Sequence, residues 1–209
     1  MIKAVLFDMD GVLIDAKEWH YEALNRALDL FGMPIERQAH LATFDGLPTK
    51  RKLEILSRSN GLPQGLGTLI HNLKQSYTME LIHTRCRPVF AHQYALSRLK
   101  RDGYRIAVCS NSIRDTIGSM MQRAGLSDYI DLIMSNEDVS KAKPDPEMYL
   151  MTMDRFGLQP HECLILEDND YGLQAARDSG AHVLQVASPA DVVHDRIMSE
   201  IVRITRIAA

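Results

Sequence analysis

The sequence predicts a doubly wound α/β fold whose mostly parallel sheet receives an all-helical domain after its first strand. Three observations predict it. Short continuous apolar runs recur along the chain, helical periodicity separates the later runs, and residues 15–85 show helical periodicity alone. Continuous apolar runs, unlike alternating ones, are typical of strands that are covered on both faces of a parallel sheet.

The predicted strands cover residues 4–7, 106–109, 130–134, 163–166 and 183–186. Apolar spacing predicts helices over residues 113–124, 148–156 and 171–179, and each of them ends at a glycine, as helices often do. Because strand and helix alternate from residue 90 onward, we expect right-handed crossovers. From residue 191 we expect a helix, and then residues 201–207 as either an edge strand or a contact surface.

The stretch between the first two strands breaks this alternation. Its periodicity predicts helices over residues 16–31, 35–43, 48–59 and 66–81. A connection of this length is too long for a plain crossover. We therefore expect a catalytic core of residues 1–14 and 86–209, and a helical cap of residues 15–85 at the carboxyl edge of the first strand, where open α/β sheets bind ligands.

Composition argues against several classes of protein. The formal net charge is −3 over 209 residues and no basic stripe with interleaved aromatic residues occurs, so nucleic acid is not an expected partner. No apolar run reaches the roughly 20 residues that a membrane-spanning helix needs, so no membrane partner is expected either. The N-terminus shows no signal-peptide cleavage site, and Cys86, Cys109 and Cys163 are expected as buried thiols. Together these features predict a cytoplasmic protein.

Acidic residues follow two of the predicted strands. Asp8 and Asp10 flank one residue after the first strand, and Glu167 and Asp168 follow the fourth. One such acidic pair alone would indicate only a turn with two solvated side chains. Parallel strands, however, bring both acidic pairs to the same edge of the sheet. Clustered carboxylates need compensation, and their hard oxygens suit Mg²⁺. We therefore expect a magnesium site in this crevice.

Two other strand ends carry groups suited to an anion. Ser110 and Asn111 precede a helix N-terminus, where side chains and backbone N–H groups hold anions, while Ser112 is expected to cap that helix. Lys143 stands before two prolines that restrict its loop, so its ammonium is expected to neutralise phosphate charge. Lys141 is a rival for this role without an adjacent proline.

These motifs, in this order, resemble the four motifs of the haloacid dehalogenase superfamily, whose members are mostly phosphatases. The matching positions are FDMDGV at residues 7–12, then Ser110, then Lys143 with its proline, then Glu167 and Asp168. The resemblance covers nearly the whole chain and is closest to the beta-phosphoglucomutase-like subgroup, which has a small helical cap. It implies a Rossmann-like core and a small phosphorylated metabolite, by subgroup a sugar phosphate, as the substrate.

The resemblance also implies a mechanism. Asp8 would attack phosphorus to form an aspartyl-phosphate, and Asp10 would protonate the leaving oxygen and later deprotonate water. Mg²⁺ would be held by Asp8, the backbone carbonyl of Asp10 and Asp168, with Glu167 near or in its shell. The remaining phosphoryl oxygens would be bound by Ser110, the backbone of Asn111 and Lys143. Asp10 argues against dehalogenation, because a halide leaving group needs no proton.

The cap leaves hydrolase and mutase as alternatives. His20 matches a hinge-side histidine that occurs in both, and a plain surface position is the other interpretation. The mutases have an arginine three residues after the glycine that corresponds to Gly46, whereas this chain has Thr49 there, followed by Lys50 and Arg51. We therefore expect a phosphatase, with a sugar-phosphate mutase as the alternative and a non-catalytic phospho-ligand-binding protein as a third.

The expected substrate-binding residues are Asn111, His20, Gly46, Thr49 and Lys50. Lys50 or Arg51 would reach a second phosphate in the mutase alternative. Lys52 is expected to be solvated, and Lys74 is expected either at the surface or on a phosphate.

Overall fold

The protein is described by a computed structural model that covers residues 1–207 and falls into two compact units. One unit comprises Met1–Asp15 and residues 87–207, and the other comprises Ala16–Cys86. We call them the core and the cap. The junctions lie one residue later than the boundaries expected from the sequence.

The core contains a five-stranded parallel sheet in the order β3-β2-β1-β4-β5. Its strands are β1 (Ala4–Phe7), β2 (Arg105–Cys109), β3 (Leu132–Met134), β4 (Cys163–Glu167) and β5 (His182–Gln185). Ala4 of β1 pairs with Arg105 on one side and Cys163 on the other. Every residue of β1 and β4 is buried, which accounts for their continuous apolar runs. The predicted parallel α/β sheet is confirmed.

The cap is helical, as predicted, and has its own apolar core. Its helices are α1 (Lys17–Asp29), α2 (Arg37–Thr43), α3 (Thr49–Ser59) and α4 (Gly67–Arg85). Side chains from these helices and their loops pack together, among them Leu24, Leu28, Phe44, Leu53 and Ile70. The apolar faces of the helices are thereby covered within the cap.

The core helices are α5 (Phe90–Arg101), α6 (Arg114–Arg123), α7 (Glu147–Phe156), α8 (Asp170–Asp178) and α9 (His194–Ile207). α7 ends at Gly157, whose φ of 67° places it in the left-handed region that glycine adopts readily. Short 3₁₀ helices occupy Gln64–Leu66 in the cap and Ser127–Tyr129, Pro160–Glu162 and Pro189–Asp191 in the core.

Two segments differ from the sequence-based prediction. Of the two expectations for residues 201–207, the edge strand was wrong, because these residues are the second half of α9, where the buried Ile197, Ile201 and Ile204 are spaced four and three residues apart on one helical face. The contact surface stays a prediction. Helix α5 was not identified at all, although Ala95, Leu96 and Leu99 form its buried face.

The expectation of buried free cysteines is confirmed. All three cysteines lie in the described chain, where they are buried free thiols. No helix within residues 1–207 is both long enough and apolar enough to span a bilayer.

Candidate active site

Asp8 directly follows β1 at the carboxyl edge of the sheet and is only 5% exposed. Its backbone N–H donates to the carbonyl of Leu166 in β4 at 3.0 Å, so the sheet pairing extends to this residue. The chain then turns back sharply at Gly11, whose φ of 95° suits glycine, and the Gly11 N–H donates to the carbonyl of Ile14 at 2.7 Å. This turn presents Asp8 and Asp10 at the edge of the sheet.

The Lys143 ammonium joins three strand ends. Its Nζ donates to Asp8 Oδ1 at 2.7 Å, to Glu167 Oε1 at 2.6 Å and to the carbonyl of Cys109 at 2.8 Å. Burial alone would lower the pKa of Lys143, but the carboxylates of Asp8 and Glu167 outweigh that effect and raise it. The lysine is therefore a permanent buried cation beside Asp8. By contrast, the rival Lys141 side chain is 73% exposed and lies near Asp145.

Asp8, Glu167 and Asp168 form the acidic part of the site. Each offers a carboxylate oxygen, and these three oxygens lie within 4.8 Å of one another. Burial raises the pKa of Asp8 well above its usual value, the charge on Glu167 raises it further, and Lys143 opposes both effects. Extra positive charge would favour ionised Asp8, and three hard oxygen donors suit Mg²⁺. The donor set therefore fits the expected metal.

Glu167 also has a second set of contacts. It is fully buried; its Oε1 accepts from Lys143 and from the hydroxyl of Tyr149 at 2.6 Å, and its Oε2 accepts from the Asp168 N–H at 3.1 Å. Both oxygens are thus held by protein donors. Tyr149 on α7 was missed by the sequence reasoning, where it was only part of a helix; the one available signal is that a buried tyrosine hydroxyl needs a partner.

Helix α8 approaches the Glu167 carboxylate closely. A Cβ built on Gly172 would lie 2.0 to 2.2 Å from the Glu167 carboxylate atoms. Asn169 begins the helix by accepting from the Gly172 N–H at 3.0 Å, and its amide lies 3.3 Å from Asp168 Oδ1. The start of α8 therefore contacts both Glu167, the last residue of β4, and Asp168, which follows it.

The Ser110 loop lies between Asp10 and Lys143. Ser110 is 1% exposed, and its Oγ accepts from the Ser112 N–H at 3.1 Å. Asn111 clamps the lysine loop, because its side-chain amide donates to the carbonyl of Lys143 and accepts from the Lys143 N–H, both at 3.1 Å. The side chain of Asn111 is thus engaged within the protein, although its backbone was the group expected to hold phosphate.

Ser112 corrects one expectation. It was expected to cap α6, but that helix begins at Arg114 after Ile113 and has no side-chain cap. The Ser112 hydroxyl instead donates to Asp10 Oδ2 at 3.2 Å, from 102 residues away in sequence. Ser112 thereby contacts the residue expected to transfer protons.

Within the cap, the exposed and buried basic residues differ from expectation. Lys50 is exposed, and Arg51 donates to Glu54 at 2.9 Å. Lys52, expected to be solvated, is 6% exposed because it lies on the buried face of α3 with Leu53 and Leu56, and Lys74 is 6% exposed. The expectation for Lys52 was wrong.

The other expected cap residues occupy three different positions. His20 lies on α1, with its Nδ1 3.2 Å from Lys74 Nζ on α4. Thr49 is the buried first residue of α3, and Gly46 lies in the preceding loop with a φ of 74°. Of the cap residues that were expected to bind substrate, His20 thus lies beside Lys74, whereas Lys50 takes no part in this contact.

His40 is a cap residue that the sequence reasoning missed. It is 1% exposed, and among the described residues neither of its ring nitrogens has a hydrogen-bond partner. Burial lowers its pKa to about 4, and the neighbouring Lys52, His20 and Lys74 contribute to the shift. The imidazole is therefore neutral at neutral pH. Its neighbours in sequence gave no signal of this burial.

Comparison with known proteins shows the family of this chain. A family model described as haloacid dehalogenase-like hydrolase matches residues 5–186. A phosphorylated carbohydrates phosphatase of Thermotoga maritima is 28% identical over 182 residues, which cover 86% of this chain and 82% of the relative. A phosphoglycolate phosphatase of Nitrosospira multiformis is 31% identical over 192 residues, which cover 88% and 83% respectively.

A similar fold occurs in a crystal structure of beta-phosphoglucomutase from Clostridium difficile. The TM-score is 0.84 with 23% sequence identity, and the match covers 97% of this chain and 98% of the other. At this identity the likeness concerns the fold.

Proposed function

The chain belongs to the haloacid dehalogenase-like hydrolase family, and from that premise we propose that it is a metal-dependent phosphatase that hydrolyses a small phosphorylated metabolite, with sugar phosphates as the first compounds to test. One observation carries the proposal: a buried carboxylate, Asp8, has a permanent cation 2.7 Å away and two further acids at the same sheet edge. Attack on phosphorus brings the anionic Asp8 carboxylate towards an anionic phosphate. It therefore needs positive charge at Asp8, which Lys143 and a metal held by the acids would supply.

In the first step that we propose, an Asp8 carboxylate oxygen attacks phosphorus and the bond from phosphorus to the leaving oxygen breaks. Asp10 gives its proton to that oxygen, so the product leaves as an alcohol and Asp8 carries an acyl phosphate. Lys143, Ser110 and the backbone of Asn111 would hold the phosphoryl oxygens. Asp8, Asp168, Glu167 and the Asp10 carbonyl would hold Mg²⁺, which supplies positive charge against the phosphoryl oxygens.

The second step releases phosphate. Asp10, now ionised, takes a proton from water as the water oxygen attacks phosphorus, and the bond between phosphorus and Asp8 breaks. Asp8 is regenerated as a carboxylate and Asp10 as an acid. The hydrogen bond from Ser112 to Asp10 Oδ2 supports this role, since it limits the rotation of the carboxyl group.

The substrate class is supported by the relatives. One is named for phosphorylated carbohydrates and the other for phosphoglycolate, so both are named for small phosphomonoesters. We therefore propose a small phosphomonoester, sugar phosphates first, with no nucleic acid or membrane partner. The buried thiols support a reducing compartment, and we propose the cytoplasm.

Phosphate release from a panel of sugar phosphates, phosphoglycolate and other small phosphomonoesters, with Mg²⁺ or with EDTA, tests the proposal. We expect metal-dependent release that falls by at least about 10³-fold in Asp8→Asn. Asp15→Asn is the matched control, because Asp15 is an exposed acid on the same segment. Undiminished turnover by Asp8→Asn would exclude the covalent mechanism.

A mutase remains the second candidate, favoured by buried basic groups in the cap. Transfer between two positions of one sugar requires cations that hold a second phosphate, and the cap offers the buried Lys52 and Lys74 for it in place of Lys50 or Arg51. A mutase would form an isomer only with a bisphosphate activator, and Lys52→Ala would slow it while Lys50→Ala would not. Phosphate release without any activator or isomer would exclude the mutase.

A further inference from the structure

Tyr149 lies outside all four motifs but directly contacts the active-site cluster. It is fully buried on α7, and its hydroxyl donates to Glu167 Oε1 at 2.6 Å. We propose that Tyr149 is a positioning residue that acts through Glu167 to hold the Lys143 ammonium on Asp8. This inference rests on the proposed function, since it concerns the same reaction.

The position of Lys143 depends on few groups. A lysine ammonium has three N–H donors, and the three acceptors here are Asp8 Oδ1, Glu167 Oε1 and the carbonyl of Cys109. The Cys109 carbonyl belongs to β2 and is rigid. Any movement of the Glu167 carboxylate therefore changes the direction in which Lys143 points at the nucleophile.

Glu167 is held from two sides. Tyr149 donates to its Oε1 from one side, and Gly172 closes the other, where a Cβ would lie 2.0 Å from the same oxygen. The Tyr149 hydroxyl has one proton to donate, and Glu167 Oε1 is the acceptor of that hydrogen bond. Without that hydroxyl, Oε1 would accept from Lys143 alone.

The Tyr149 ring makes a second contact with the ammonium. Lys143 Nζ lies 4.7 Å from the ring centroid, within the range of a cation–π interaction. The tyrosine thus touches both members of the ion pair. A phenylalanine would keep the ring contact and lose only the hydrogen bond to Glu167, which makes Tyr149→Phe a specific probe.

The hydroxyl should matter most while Asp8 is phosphorylated. Phosphorylation turns the Asp8 carboxylate into an acyl phosphate, whose carbonyl oxygen is a weaker acceptor, so its hold on Lys143 weakens at that stage. Glu167 and the Cys109 carbonyl then anchor the ammonium, and the third N–H can donate to a phosphoryl oxygen. A loosened Glu167 should therefore slow hydrolysis of the acyl phosphate, which follows the first chemical step, so kcat and KM should fall together and kcat/KM should change little.

The test compares Tyr149→Phe with Thr152→Val in the full-length protein with Mg²⁺, on p-nitrophenyl phosphate and on the fastest substrate of the panel. Thr152 is a fully buried hydroxyl on the same helix that donates to the Met148 carbonyl at 2.7 Å and lies 3.3 Å from Cys109 Sγ. We expect kcat to fall roughly tenfold in Tyr149→Phe, the effect of one hydrogen bond to a charged group, with kcat/KM within about twofold. Thr152→Val should keep the kcat of the native protein.

A double-mutant cycle with Glu167→Gln separates positioning from general loosening of the fold. If Tyr149 acts through Glu167, Tyr149→Phe should change kcat little once Glu167→Gln is present. Equal losses in both backgrounds, equal losses in Tyr149→Phe and Thr152→Val, or a native kcat in Tyr149→Phe would each overturn the inference. Failure of the proposed function is distinct, because there Asp8→Asn would retain turnover whatever the Tyr149 variants do.

Discussion

The core and the cap each bury a polar cluster, and the two clusters balance charge differently. The core cluster, Asp8, Lys143, Tyr149 and Glu167, combines both signs of charge, with hydrogen bonds of 2.6 to 2.7 Å between its members. The cap cluster, His20, His40, Lys52 and Lys74, consists of basic side chains around a buried imidazole that has no hydrogen-bond partner in the described chain.

This difference shows two ways in which a fold accommodates buried ionisable groups. In the core, the Lys143 ammonium donates to both carboxyl groups, so the geometry is defined before any ligand arrives. In the cap, burial and the neighbouring positive groups both act against protonation of His40, which stays neutral instead. The core cluster should therefore respond to the loss of a partner, and the cap cluster to pH.

Removal of the core cation should have the largest effect. Lys143→Met leaves Asp8 and Glu167 as two buried carboxylates without their shared donor, and we expect the free energy of unfolding to fall by roughly 3–5 kcal/mol. Urea denaturation at neutral pH measures it. Lys141→Met, two residues away on a side chain that is 73% exposed, is the control and should change stability by less than about 0.5 kcal/mol. Similar small losses in both variants would show that the core cluster does not need its cation.

Crowding the core cluster should have the second-largest effect on stability. Gly172→Ala would push a methyl group into the Glu167 carboxylate, which Lys143 and Tyr149 hold in place, so we expect a loss of roughly 1–3 kcal/mol together with slower turnover. Gly118→Ala is the matched helical control, because a Cβ added there would meet nothing within 4 Å, and it should stabilise the protein by roughly 0.5–1 kcal/mol. An unchanged Gly172→Ala protein would mean that Glu167 can move at little cost.

Acid should affect the cap through His40. The unfolded imidazole binds its proton near pH 6.5, whereas in the folded protein its pKa is lowered to about 4 by burial and by nearby positive charge. Between these values the unfolded state binds more protons, so stability falls as pH decreases, and from pH 7.5 to 5 this one residue should account for a loss of roughly 2 kcal/mol.

His40→Phe removes the titrating group while keeping an aromatic ring beside Tyr21 and Phe44. Urea unfolding of the native protein and of this variant at both pH values measures the effect, and the variant should lose less stability on acidification. His83→Phe, an exposed histidine on α4, is the control and should keep the native pH dependence. The same acid sensitivity in native protein and His40→Phe would contradict this account of the cap.

The smallest effect concerns the pKa of His40 itself. Lys52 is one of the groups that lower it, so Lys52→Met should raise the pKa of His40 towards its usual value. Titration of the imidazole by NMR measures the change. Lys50→Met should leave the titration curve as it is, because Lys50 is exposed and is not among the groups that shift His40. Equal responses to both substitutions would show that the cap senses net charge and not this cluster.

The elements that were foreseen share one physical property: a local pattern specifies them. Continuous apolar runs identified all five strands, and the order of the motifs placed Asp8, Ser110 and Lys143 after the first three strands and Glu167 at the end of the fourth. In a parallel sheet those ends converge whatever the helices do, so the meeting of Asp8, Glu167 and Asp168 could be anticipated. Residues 201–207, expected as an edge strand or a contact surface, form a helix, because a short apolar run fits either period and packing decided for the helix.

The sequence by itself therefore determined the parallel sheet, the helical character of the cap, the family, and which residue types stand at the strand ends. Only the tertiary structure decided which side chains touch. Tyr149 meets Glu167 from 18 residues away, Ser112 meets Asp10 from 102 residues away, and His40 is buried beside Tyr21. Spacing along one element fixes the direction of a side chain only relative to that element, whereas its partner depends on how separate elements pack and which rotamer that packing permits.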